Sequence, residues 1–179
     1  MLEIQDSALI VIDLQGRLAQ LMHDKEALFK NIEILVKSAK ILGIPIVWCQ
    51  QCPESLGPTI SQIAALISDI EPINKSSFSC CGADQFNVKL IEMDRRQVLL
   101  CGIEAHVCVY QTAVDLLCKG YDVSVIADAV SSRSLENKEI AITKMTASGI
   151  NVTSTEMALF ELLRTADHPH FTQIAKLIK

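Results

Sequence analysis

The chain has 179 residues, half of them hydrophobic, with a formal net charge of −5 and only 4% aromatic residues. That length suits one domain, residues 1–179, with a sizeable core. It has no basic cluster interleaved with aromatics, which argues against nucleic acid as the main partner, and no apolar run reaches the ~20 residues of a membrane span.

The first apolar run, Ser7–Leu14, is continuous enough for a strand buried on both faces, and it carries a carboxylate, Asp13, near its end. Before it, Met1–Asp6 is acidic and lacks the basic-then-apolar order of a signal peptide, so the protein is expected in the cytoplasm. Lys25–Leu42 places Leu28, Ile32, Leu35, Val36 and Ala39 at helical spacing, and Gly43 closes that helix. Ile44–Cys49 predicts a second strand. Gln50–Gly82 is the least regular stretch, rich in Pro, Ser, Cys and Gly, and within it a short apolar run leads to Lys75. Gln97–Cys101 predicts a strand and Cys108–Lys119 a helix closed by Gly120. Asp122–Ala127 predicts a strand, Glu136–Ser148 a helix closed by Gly149, and Ile150–Thr153 a further strand. Helices over Ser154–Arg164 and His168–Leu177 complete the chain. Continuous apolar strands between helices predict a parallel sheet covered on both faces, an α/β/α three-layer architecture. Ligands of such sheets bind beyond the carboxyl ends of the strands.

Seven cysteines are an odd number, and a reducing compartment keeps them as thiols. Neither Cys49-x-x-Cys52 nor Cys80-Cys81 has the spacing or histidine partners of a zinc site. Pro53 follows Cys52 with no helix start between the two cysteines, which does not match a redox pair. No metal and no cofactor is expected.

Chemistry concentrates at three strand ends. Cys108 follows Leu99-Leu100-Cys101-Gly102 at a predicted helix start, where unpartnered N–H groups and a partial positive charge favour a thiolate and can hold an oxyanion. Asp13 interrupts an apolar run, a costly place for a carboxylate without a partner or a task. Lys75 can keep that carboxylate ionised. Each has a plainer reading: Cys108 as a small buried hydrophobe, Asp13 as a turn cap, Lys75 as a solvated charge. Together they make a hydrolytic set, with Asp13 taking the thiol proton of Cys108. His106, two residues before Cys108, can line the pocket or act as base.

In order, Val11-Ile12-Asp13-Leu14-Gln15, Asn74-Lys75-Ser76-Ser77-Phe78 and Gly102-Ile103-Glu104-Ala105-His106-Val107-Cys108-Val109 resemble the isochorismatase-like cysteine hydrolases, and most closely the isochorismatase domain-containing branch. The resemblance runs from Ser7 to the His168-Pro169-x-Phe171 segment. It implies a six-stranded parallel sheet of order 3-2-1-4-5-6. It also implies Asp13 as general base for both thiol and water, Lys75 as orienting cation and Cys108 as nucleophile. A cis peptide joining Ile103 to Glu104 would aim the Glu104 N–H, with that of Cys108, at the oxyanion. The implied activity is hydrolysis of a small-molecule amide or related C–N or C–O bond through a thioester-type intermediate. Trp48, Gln51, Phe78, His106 and Tyr110 are candidate substrate-binding residues. The nicotinamidase branch holds a metal through Asp and His after its second strand. Here that segment, Trp48–Pro53, contains neither. A homo-oligomer is expected. Two rival readings are a catalytically weak binding or scaffold module of the same fold, and a nucleotide or flavin binder. The second lacks its glycine-rich turn, because Asp13-Leu14-Gln15-Gly16 offers one glycine.

Overall fold

A computed structural model describes residues 1–179. Six strands form one parallel sheet: β1 (Ser7–Ile12), β2 (Ile46–Gln51), β3 (Ile73–Lys75), β4 (Gln97–Ile103), β5 (Asp122–Ser131) and β6 (Asn151–Thr153). Their order is β3-β2-β1-β4-β5-β6, as the sequence resemblance implies. The helices are α1 (Gly16–Gln20), α2 (Lys25–Leu42), α3 (Pro53–Leu56), α4 (Ser61–Ala64), α5 (Asp84–Met93), α6 (Tyr110–Cys118), α7 (Leu135–Ala147), α8 (Thr155–Leu163) and α9 (Phe171–Ile178).

The pleat sorts β1 onto two cores. Leu9 and Val11 pack into the cluster that holds the apolar faces of α2 and α8, with Ile174 of α9. Ile10 and Ile12 face the opposite cluster, with Phe86 and Leu90 of α5, Leu116 of α6 and Met145 of α7. A strand buried on both faces has no polar side, which is why β1 reads as an unbroken apolar run. Gly43, Gly120 and Gly149 all have positive φ, as the predicted helix ends require.

Sequence and structure differ in three places. Helix α5 follows the stretch read as irregular, Gln50–Gly82, in a segment where the sequence predicts no element, because only Phe86 and Leu90 of it are buried while Val88 and Ile91 are exposed. Strand β5 continues past Ala127 to Ser131. The helix carrying Cys108 begins earlier, with a wide π turn over Ala105–Val109 that runs into α6.

The joint between β1 and β4 sets the crevice. Ile12 pairs with Gly102, and a Cβ at Gly102 would lie 2.1 Å from the Ile12 carbonyl oxygen. Gly102 also has φ +129°, which disfavours any side chain. The absent side chain lets the ends of β1 and β4 close up, so that Asp13 and the turn before Cys108 leave the sheet side by side.

Candidate active site

Asp13 follows the last residue of β1 in the left-handed region, at φ 55°. Aspartate tolerates that conformation better than most residues. Its N–H donates to the Cys49 carbonyl (3.1 Å), so the residue stays tied to β2 as the chain turns. Lys75 ends β3, opposite Gln51 at the end of β2. Its ammonium donates to Asp13 Oδ2 and Gln51 Oε1, both at 2.7 Å, and to the carbonyls of Phe78 (3.1 Å) and Ser77 (3.3 Å). A buried cation is tolerated only when its donors are met, and here four acceptors surround it. Asp13 is 2% exposed, and its second oxygen, Oδ1, is buried without a hydrogen-bond partner.

Electrostatics set the resting state. Burial raises the Asp13 carboxyl above its ordinary pKa of 3.8, against the pull of the Lys75 charge. Burial also works against the Lys75 ammonium, but the charges of Asp13 and the nearby thiols outweigh it and hold its pKa above 10.5. Burial and then the Asp13 charge push the Cys108 thiol far up, with Lys75 opposing. This corrects the expectation of a thiolate favoured at rest. Cys108 is the fourth residue of the helical run, is only 7% exposed and faces a carboxylate. Two other buried thiols are pushed up too: Cys49 by a hydrogen bond with Cys80 and by burial, Cys101 by burial. Burial also pushes Cys81 up to about 11.

A second cluster lies across the crevice at the ends of β4 and β5. The Glu104 carbonyl accepts the N–H groups of Val107 (3.0 Å) and Val109 (3.3 Å), anchoring the turn on both sides of Cys108. Its carboxylate is buried and accepts from Arg133 Nε (2.6 Å) and the Arg133 N–H (3.3 Å). His106 Nδ1 sits 2.9 Å from Ser132 Oγ and 3.4 Å from Glu104 Oε2.

The Ile103–Glu104 peptide is trans, since the chain contains no cis peptide bond. This corrects the implied cis bond. An amide between two non-proline residues favours trans by about 3 kcal/mol, and Glu104 meets the helix as an extended N-cap at φ −67°, ψ 117°.

The structure brings Asp13, Lys75 and Gln51 into direct contact, and the Asp13 charge reaches the Cys108 thiol. Trp48 stands apart. It alternates with Gln51 across the sheet, packs in the α2-side core, and donates its indole N–H to Thr59 Oγ1 (2.8 Å). It also borders a surface hollow of about 580 Å³ at the β3 edge, which contains no member of the Asp13–Lys75–Cys108 set. Phe78 contributes a carbonyl to Lys75, while its ring is exposed. Tyr110 lies beneath Lys144 Nζ, 4.8 Å from the ring centre, bridging α6 to α7. Sequence reasoning missed Gln15. Fully buried, its amide donates to the carbonyls of Gln51 (3.0 Å) and Gly57 (2.8 Å), and its Oε1 accepts the Gln51 N–H (2.6 Å). A polar residue just after a strand reads as an ordinary turn, so its sequence signal was weak.

A model of the isochorismatase domain matches residues 7–157. The chain belongs to the isochorismatase family. Among its isochorismatase relatives, it is 39% identical to a secreted isochorismatase effector of Phytophthora sojae, over 97% of this chain and 84% of that protein. It is 36% identical to isochorismatase domain-containing protein 2 of Danio rerio, over 99% of this chain and 89% of the relative. The solved structure of the MAR1 ribonuclease from Caenorhabditis elegans superposes with a TM-score of 0.93 at 36% identity, covering 99% of this chain and 91% of that one. No helix is long and apolar enough to cross a membrane.

Proposed function

We propose that the protein is a cysteine hydrolase that cleaves a small-molecule amide, or a related C–N or C–O bond, through a thioester on Cys108. The observation that carries this reading is the buried Lys75–Asp13 pair at 2.7 Å, with its second carboxylate oxygen left without a partner beside the Cys108 thiol. A buried carboxylate with an unspent oxygen is costly as structure alone. It makes sense as a base.

Asp13, made more basic by burial, takes the thiol proton as Cys108 Sγ attacks the substrate carbonyl carbon. Lys75 holds the carboxylate in place before the transfer. The N–H groups at the start of the Cys108 helix that the Glu104 carbonyl leaves free supply the donors for the developing oxyanion. The tetrahedral intermediate collapses as the protonated Asp13 returns its proton to the leaving nitrogen or oxygen. The bond to the leaving group breaks and the acyl group remains on sulfur. Water then cleaves the thioester, releasing the acid and the free thiol. Gln51 orients the ammonium from the β2 side. A homo-oligomer in the cytoplasm remains part of this reading, supported by seven free thiols and by exposed apolar side chains such as Ile91 and Met157. A ribonuclease role, which the name of the nematode structure suggests, finds no support in a chain of net charge −5.

The test is turnover of a panel of small amides and esters by the wild type and Cys108→Ala. The variant is expected to lose about 10³-fold or more in kcat/KM with an unchanged melting temperature. Wild-type turnover by the variant would overturn the nucleophile assignment. A silent panel with normal Cys108 alkylation would favour the scaffold reading.

A further inference from the structure

The catalytic crevice uses the carboxyl ends of the strands, and the opposite end of the sheet carries a second concave feature. Arg96 and Tyr121 immediately precede β4 and β5, and the Asp122 N–H donates to the Arg96 carbonyl (2.8 Å), which holds the two strand entries side by side. Tyr121 is tied to α6 by its N–H on the Leu116 carbonyl (3.1 Å). Asp94 ends α5 in the left-handed region, at φ 49°, and Arg95 and Arg96 follow at once. Together these elements form a hollow of about 380 Å³, lined by Arg95, Arg96, Lys119, Asp94, Tyr121 and Leu90.

That volume is in the range of small-molecule sites. In a chain of net charge −5, three cations here meet one carboxylate. None of the three forms an ion pair within the protein. Arg95 Nε is buried without a hydrogen-bond partner. Like charges around one concavity repel, and a buried charged donor with no acceptor is costly. An anion in the hollow answers both. The lining also selects its kind. A phosphate monoester brings three acceptor oxygens and close to two negative charges at neutral pH, which suits three cations and a surplus of positive charge. Guanidinium groups match phosphate oxygens two at a time. Leu90 is buried and Tyr121 half-buried, so part of the lining is apolar and aromatic, a surface for a ring. The length of β4 sets the hollow about 20 Å from the crevice, so its occupant is not the substrate of Cys108.

We propose that this hollow binds a phosphate monoester of a small ring compound, its phosphate held by Arg95, Arg96 and Lys119 and its ring against Tyr121. The proposal is independent of the hydrolase reading.

Calorimetric titration with phenyl phosphate, inorganic phosphate and phenol tests it. Phenyl phosphate is expected to bind about tenfold more tightly than inorganic phosphate, and phenol not to bind. Arg95→Gln should weaken phenyl phosphate about tenfold, and Arg96→Gln and Lys119→Gln, whose side chains are exposed, about threefold each. Tyr121→Leu should narrow the gap between the two phosphates. Asp94→Asn removes the opposing charge and should tighten binding, a gain that misfolding cannot produce. Cys108→Ala should bind as the wild type does. Absence of binding at millimolar phenyl phosphate overturns the proposal. So does binding that Arg95→Gln and Asp94→Asn leave unchanged, or that Cys108→Ala abolishes. Tighter binding of a short RNA or of phosphatidylserine vesicles would overturn it in favour of a polyanion surface.

Discussion

The crevice has two unlike walls. On the β1–β3 side, Asp13, Lys75 and Gln51 form a dry, fully enclosed group. On the β4–β5 side, Glu104 is buried, but its partners Arg133 and His106 reach solvent, with Arg133 59% exposed. The same elementary contact, a cation on a carboxylate, therefore sits in two dielectric environments. In the dry wall both charges depend on each other, and the pair can store basicity. In the wet wall the charges are screened, and what the contact supplies is orientation.

The largest test of that contrast removes a cation from each wall. Lys75→Met should leave the Asp13 charge buried and unpaired, costing about 3–5 kcal/mol of stability and nearly all Cys108 acylation. Urea unfolding and the acylation burst read the two losses. A stability loss below about 1 kcal/mol would place the pair among ordinary surface contacts.

Acidification gives an intermediate effect. Asp13 must be a carboxylate to accept the thiol proton, and its folded-state pKa lies above 3.8. The acid limb of Cys108 acylation should therefore fall above the ordinary carboxylate range, dropping about tenfold per pH unit below it. The sign for stability is opposite to that of a typical salt-bridged acid. A raised carboxyl stabilises the fold below pH 3.8, and that contribution is lost as pH rises through the folded value. The Lys75 contribution persists below 10.5 and is lost only as pH passes its higher folded value. A limb at or below pH 3.8 would contradict burial as the dominant influence on Asp13.

The smallest effect belongs to the wet wall. Arg133→Gln should cost no more than about 1 kcal/mol, because its guanidinium is mostly solvated. A loss as large as that of Lys75→Met would erase the distinction between the walls.

Much of this was legible in the residues. An isolated carboxylate at the end of an apolar run marks Asp13, since no residue of β1 is charged. The strand-to-glycine-to-cysteine order marks the Cys108 turn. The face of a fully buried strand was not legible. Ile46–Cys49 is apolar at every position, so no alternation shows that Trp48 turns to the α2 side while Gln51 turns to Lys75. The second wall was half legible: Glu104 and His106 stand out beside Cys108 in the sequence, but nothing there ties the Glu104 carboxylate to Arg133 or the His106 ring to Ser132. Only the pairing of Ile103 with Ser131 sets their two loops side by side.

Gly102 gives the crevice its gauge. With no room for even one carbon beside the Ile12 carbonyl, the first and fourth strands cannot spread or slide at that point without breaking their ladder. The base and the nucleophile are in effect mounted on one rigid plate. Any breathing that admits substrate must come from the loops and helices around that plate. A methyl group at position 102 would act as a wedge, disarming the site from a place that no substrate ever touches.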